Sequence, residues 1–100
     1  MRYLLFDLSE GDDGISTLEA MTTTTTLEKH QQALNEADEV IAWAHEHFPG
    51  RHGPVEDGHA WDHELLIQHE TGDWITVTLT LSASPEFVDA FLPVFGDHEA

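Results

Sequence analysis

The stretch "WDHELLIQHETGDWITVTLTL", Trp61–Leu81, decides the fold. In its second half Ile75, Val77, Leu79 and Leu81 point one way, and Trp74, Thr76, Thr78 and Thr80 the other. That period of two is the pattern of a half-buried strand. In its first half Trp61, His63, Leu65, Ile67 and His69 share a face. A two-residue loop, Thr71-Gly72, would set Ile67 opposite Thr76, an apolar side chain against a polar one. A three-residue loop, Thr71-Gly72-Asp73, sets Leu65 opposite Leu79, Ile67 opposite Val77, His63 opposite Leu81 and His69 opposite Ile75. Matching of apolar faces therefore selects the odd loop.

Beyond the hairpin, Ser84-Pro85-Glu86 reads as a helix start: a cap, proline in the first helical position, and an acid in the first turn. Phe87, Val88, Phe91, Leu92 and Phe95 give that short helix an apolar stripe, and Pro93 is expected to end or bend it. "GDHEA" reads as a tail. Before the hairpin, residues 50–60 form a loop rich in glycine, proline and charge. A long amphipathic helix precedes it. Leu27, Leu34, Ile41 and Phe48 recur every seven residues, Ala37 and Ala44 fill between them, and Ala33 and Val40 widen the stripe. Pro49-Gly50 ends it. Thr25 and Glu28 suggest its capping box. Ser16 and Glu19 form another S-x-x-E pattern, so a short helix carrying Leu18 and Met21 is expected there. Tyr3–Leu8, "YLLFDL", reads as a buried strand ended by the turn "SEGDDG". The turn is no calcium loop: counted from Asp7, the sixth and twelfth positions are Asp12 and Leu18, not Gly and Glu.

The expected architecture is a single domain over residues 1–100, of order β-α-α-β-β-α. It is an α+β fold with a three-stranded, antiparallel or mixed sheet in order 1-3-2 and helices packed on one face, like a split βαβ unit lacking a final strand. The other face would carry Trp74, Thr76, Thr78, Thr80, Leu66, Tyr3 and Leu5. It is too apolar in part for ordinary solvent surface, so a partner or a second copy is expected to cover it.

Twenty acids face three bases, Arg2, Lys29 and Arg51, for a formal net charge of −17. Such a surface repels phosphate backbones and anionic lipid, so the expectation is no direct nucleic-acid binding and no membrane. Basic protein surfaces and cations fit it, as do simple solubility and a high-salt habitat. The apolar fraction of 40% and three tryptophans argue for a packed core. There is no cysteine, which removes disulfides, thiolate chemistry and cysteine-containing zinc sites. The N-terminal "MRYLLFDLSE" reaches an acid too soon for a signal-peptide apolar region, and a cytoplasmic location is expected.

Five of the eight histidines fall between His45 and His63, beside Glu46, Glu56, Asp57 and Asp62. His45 and His47, two apart on a helix, point roughly 200° apart and do not share an ion. A divalent metal site would draw on His47, His52, His59 and His63, although no HExxH or other recognised spacing is present. The connector is not expected to fold back far enough to join them. Asp62 and His63 are adjacent on a strand, so they point to opposite faces and do not form an acid–base pair. No nucleophile elbow or phosphate loop is present, and an enzyme is not the favoured reading. The favoured reading is a small non-catalytic binding or regulatory domain acting through its acidic surface or the open sheet face (Trp74, Thr76, Thr78, Leu66). The partner would be a basic protein surface or a second copy, with no cofactor. The alternative is a metal-binding or hydrolytic protein built on the histidine segment. An acidic surround favours protonated imidazole, so stability should fall from about pH 6 to pH 8. The reverse trend would mean that buried neutral histidines dominate, with His63 and His69 as suspects.

Overall fold

The computed structural model describes residues 2–96. The chain runs β1 (Asp7–Glu10), β2 (Ser16–Thr24), α1 (Leu27–His47), a 3-10 turn at Val55–Asp57, β3 (Trp61–His69), β4 (Ile75–Ala83) and α2 (Pro85–Phe95). The hairpin of β3 and β4 has the register that apolar matching selects: Leu65 opposite Leu79, Ile67 opposite Val77, His63 opposite Leu81. The Glu70 N–H donates to the Trp74 carbonyl at 2.8 Å and closes the loop Thr71-Gly72-Asp73. Gly72 holds φ at +83°, a left-handed conformation that a Cβ would strain.

Two expected elements are corrected. Ser16–Thr24 is a strand, not a helix begun by a Ser16–Glu19 box. Its inward side chains, Leu18 and Ala20, are buried, while Glu19, Met21 and Thr23 stand exposed on the other face. That is a period of two, and the β-branched threonines extend it. The first strand is Asp7–Glu10 rather than Tyr3–Leu8. "GDDG" turns the chain back into β2, with the Gly14 N–H donating to the Gly11 carbonyl and the Ile15 N–H to Asp13 Oδ1. Tyr3 and Leu4 are claimed instead by α1. The Glu36 carboxylate accepts from the backbone N–H groups of Arg2, Tyr3 and Leu4 at 3.0–3.3 Å, and the Tyr3 hydroxyl donates to Gln32 Oε1.

The sheet therefore has four strands, all antiparallel, in order β1-β2-β4-β3, where three strands in order 1-3-2 were expected. β2 leads into α1, the crossover returns as β3, and β4 comes back between them. β1 is an added edge.

Both helices cover the face that carries Leu18, Ala20, Leu79, Leu81 and Ala83, and the core lies between. Thr26 caps α1, one residue later than the expected Thr25: its hydroxyl accepts from the Lys29 N–H. The buried stripe of α1 is Ala33, Ala37, Val40 and Ala44, with Leu34 and Ile41 at its margin and Leu27 78% exposed. Small side chains there bring the helix backbone close to the sheet, and the aromatic volume comes from Trp61, Phe87 and Phe91. Ser84 caps α2 by accepting from the Phe87 N–H, and the helix runs through Pro93 to Phe95. The expected tail, beyond Gly96, lies outside the described residues. No helix among the described residues is long and apolar enough to cross a membrane.

Candidate functional site

The histidine segment resolves into three pieces with different fates. Past the end of α1 the connector does fold back, because its main chain bonds the free edge of β3. The Ala60 N–H donates to the Arg51 carbonyl and the Gly53 N–H to the Trp61 carbonyl, both at 2.9 Å. His52 and Trp61 form a short parallel bridge. Gly53 sits at φ +155°, where an added Cβ would lie 3.0 Å from the His59 ring. That φ and the His59 ring beside it both favour glycine at this position.

This docking carries His52 onto the edge of β3, contrary to the expectation that the connector would not reach. His52 Nε2 lies 2.9 Å from His63 Nδ1 and 3.1 Å from Asp62 Oδ1. The same carboxylate oxygen accepts from the His63 backbone N–H at 2.9 Å. Asp62 and His63 thus meet through His52 and a main-chain bond. On an edge strand a carboxylate is free to curl round the side, and parity alone does not confine it. Trp61, fully buried, is the floor. Its ring centroid lies 4.4 Å from that of His52, 4.9 Å from His45 and 5.7 Å from His63.

Of the four histidines put forward as metal ligands, the structure brings together His52 and His63. His47 stacks on Trp43 at 4.6 Å, its Nδ1 2.9 Å from the Trp43 carbonyl. His59 turns back on its own loop, with Nδ1 3.1 Å from the Pro54 carbonyl. The third member is Asp62, one of the nearby acids that could contribute to such a site but was not named among its ligands.

Burial pushes the His63 pKa below its ordinary value of 6.5. The neighbouring His52 adds to the fall, Asp62 opposes it, and His45 contributes a smaller lowering. The sign for this residue is opposite to the rise expected from an acidic surround. With the folded pKa depressed, the unfolded chain binds the proton more readily. The contribution of His63 is complete above about pH 6.5 and is lost as pH falls through the folded value. Denaturant titrations in a chelating buffer should show the wild type losing more stability than His63→Gln between pH 7 and pH 5. A larger loss in the variant would reverse the assignment.

The second candidate region is the open face of the sheet, opposite the helices. Asp7, Glu19, Thr80 and Glu64 form one row across it, then Met21, Thr78 and Leu66, then Thr23, Thr76 and Gln68. Thr80 donates to Glu19 Oε2, and the hydroxyls of Thr23 and Thr76 lie 3.0 Å apart. Leu66 is 44% exposed, Met21 66%, and Trp74, at the hairpin end, 53%. Of the surface put forward, Leu66 and Trp74 are open, Thr78 is half-buried and Thr76 is buried. Met21 went unrecognised because its segment read as a helix. Tyr3, held by α1, is not on this face, and Leu5 is exposed outside the strands. Comparison of the chain with protein-family models, with curated proteins and with solved structures returns no match.

Proposed function

We propose that the chain is a non-catalytic binding domain whose open sheet face docks a basic protein segment. The observation that carries this reading is the continuity of Met21, Leu66 and Trp74, all exposed, with a row of carboxylates, Asp7, Glu19 and Glu64, on the same face. Apolar side chains grouped on one surface gain by being covered. The adjoining acids select what covers them. A second copy brings the same carboxylates to the patch, whereas a segment with lysine or arginine beside an apolar anchor satisfies both halves. Thr80 in the acidic row and Thr78 between Met21 and Leu66 supply hydroxyls without long flexible chains to order.

The test is a titration of isotope-labelled protein with a synthetic peptide that alternates lysine and leucine, followed by NMR. Shifts are expected at Met21, Leu66, Thr78 and the Trp74 indole, and affinity should drop as salt is raised. The double variant Met21→Ala, Trp74→Ala should bind about ten-fold more weakly, equivalent to about 1.4 kcal/mol. Shifts confined to the acidic side of α1, or unaltered binding by the double variant, would remove the sheet face as the docking surface. A concentration-dependent dimer burying Trp74 would replace the basic partner by a second copy.

A further inference from the structure

We propose that His52 Nε2, His63 Nδ1 and Asp62 Oδ1 form a three-ligand site for a divalent transition-metal ion of the zinc class, at the free edge of β3. One ligand atom from each of the three residues lies within 4.8 Å of the other two, with the two separations at His52 Nε2 being 2.9 and 3.1 Å. Zinc bonds imidazole nitrogen at about 2.0–2.1 Å and carboxylate oxygen at about 2.0–2.2 Å, which places tetrahedral ligands roughly 3.3 Å apart. The two separations at His52 lie a few tenths of an ångström inside that spacing, and the third, at most 4.8 Å, closes as the ion draws the side chains in.

A neutral imidazole carries a hydrogen on one ring nitrogen only. If His52 Nε2 carries it, one hydrogen is shared between Asp62 and His63. If it does not, its lone pair faces a carboxylate oxygen at 3.1 Å. In either case the two neutral imidazoles and the carboxylate bring a single hydrogen to the point where they meet, and the His63 backbone N–H adds one more at Asp62 Oδ1, which still leaves lone pairs for a cation. A cation satisfies all three at once. A hydrogen-bonded cluster that takes no ion is the competing description.

The site is also held in place. His63 and Asp62 belong to a strand, His52 is fixed by the bridge to Trp61, and the buried indole beneath excludes water from one side. Two imidazoles favour zinc, copper, nickel or cobalt over magnesium and calcium, which prefer all-oxygen shells. The net charge of −17 raises the local concentration of any cation. His45 lies near, 5.2 Å from His52 between ring centroids, but is outside the three-atom set. The fourth coordination position is therefore open to water or an exogenous ligand.

The experiment uses the full chain without a histidine tag. Zn²⁺ is titrated calorimetrically, and Co²⁺ is added in parallel so that its visible absorption reports nitrogen coordination. One ion per chain is expected, not displaced by excess Ca²⁺. His52→Ala and His63→Ala should each lower the affinity by more than about ten-fold, and Asp62→Asn by a similar factor. His47→Ala and His59→Ala should leave it unchanged. Circular dichroism of each variant separates lost ligation from lost folding, and His52→Gln, close in size, repeats the test if the alanine variant unfolds. Undiminished binding by His52→Ala and His63→Ala would assign the ion to the general acidic surface and overturn the proposal. So would the lack of binding at micromolar Zn²⁺, which would leave a hydrogen-bonded cluster only.

Discussion

Replacement of Trp61 by alanine should lower the free energy of unfolding by about 3–5 kcal/mol, the range for removing a large aromatic side chain from a packed core. A domain of this size has about 5–15 kcal/mol in total, so the variant should sit near the edge of folding. The reason is position. Trp61 is fully buried, stacks on Phe87 at 5.7 Å and supports the rings of His45 and His52. It also provides the backbone carbonyl that accepts from Gly53, so core, edge strand and connector meet at one residue. Its indole N–H is buried and finds no acceptor among the described residues. Trp61→Phe removes that unpaired donor, worth about 1–3 kcal/mol, while keeping most of the ring. It should therefore cost much less than the alanine variant. Urea titration gives both values, and equal losses in the two variants would contradict the account.

The second large effect separates strand from helix in Ser16–Thr24. A helix starting at Ser16 would place Leu18 and Met21 on one buried face, three residues apart. In the strand they point to opposite faces: Leu18 is fully buried and Met21 is 66% exposed. Leu18→Ala should cost about 2–5 kcal/mol. Met21→Ala should change stability by no more than about 0.5 kcal/mol. Comparable losses at the two positions, again by urea titration, would restore the helix.

That segment shows where sequence reasoning held and where it gave way. The β3–β4 hairpin was readable because its alternation admits one loop parity that sets Leu65 and Ile67 against Leu79 and Val77 on the same face. The long helix was readable from its repeat, although its deepest contacts fall on Ala33, Ala37 and Ala44 rather than on the larger leucines. β2 was hidden because a four-residue capping pattern was given more weight than a nine-residue alternation, in which alanine and threonine carry little apolar contrast. At the histidine site, the strand residues His63 and Asp62 were placed correctly along the chain. What joined them to His52 was main-chain bonding from Arg51 and Gly53 to the start of β3. Such bonds leave no trace in side-chain pattern.

The pairing of β2 with β4 also has a kinetic meaning. Ser16 lies opposite Ala83 and Thr24 opposite Ile75, so the sheet's central seam joins segments that the chain separates by half its length or more. The outer hairpins, β1 with β2 and β3 with β4, close short loops and belong to the microsecond range. The seam between them carries the loop-closure entropy of everything in the crossover, including α1. The docking of the two hairpins is therefore expected to be slower than the making of either. Until that step one edge of β2 and one edge of β4 lack their ladder partner, and the like charge of a strongly acidic chain opposes their pairing with another copy.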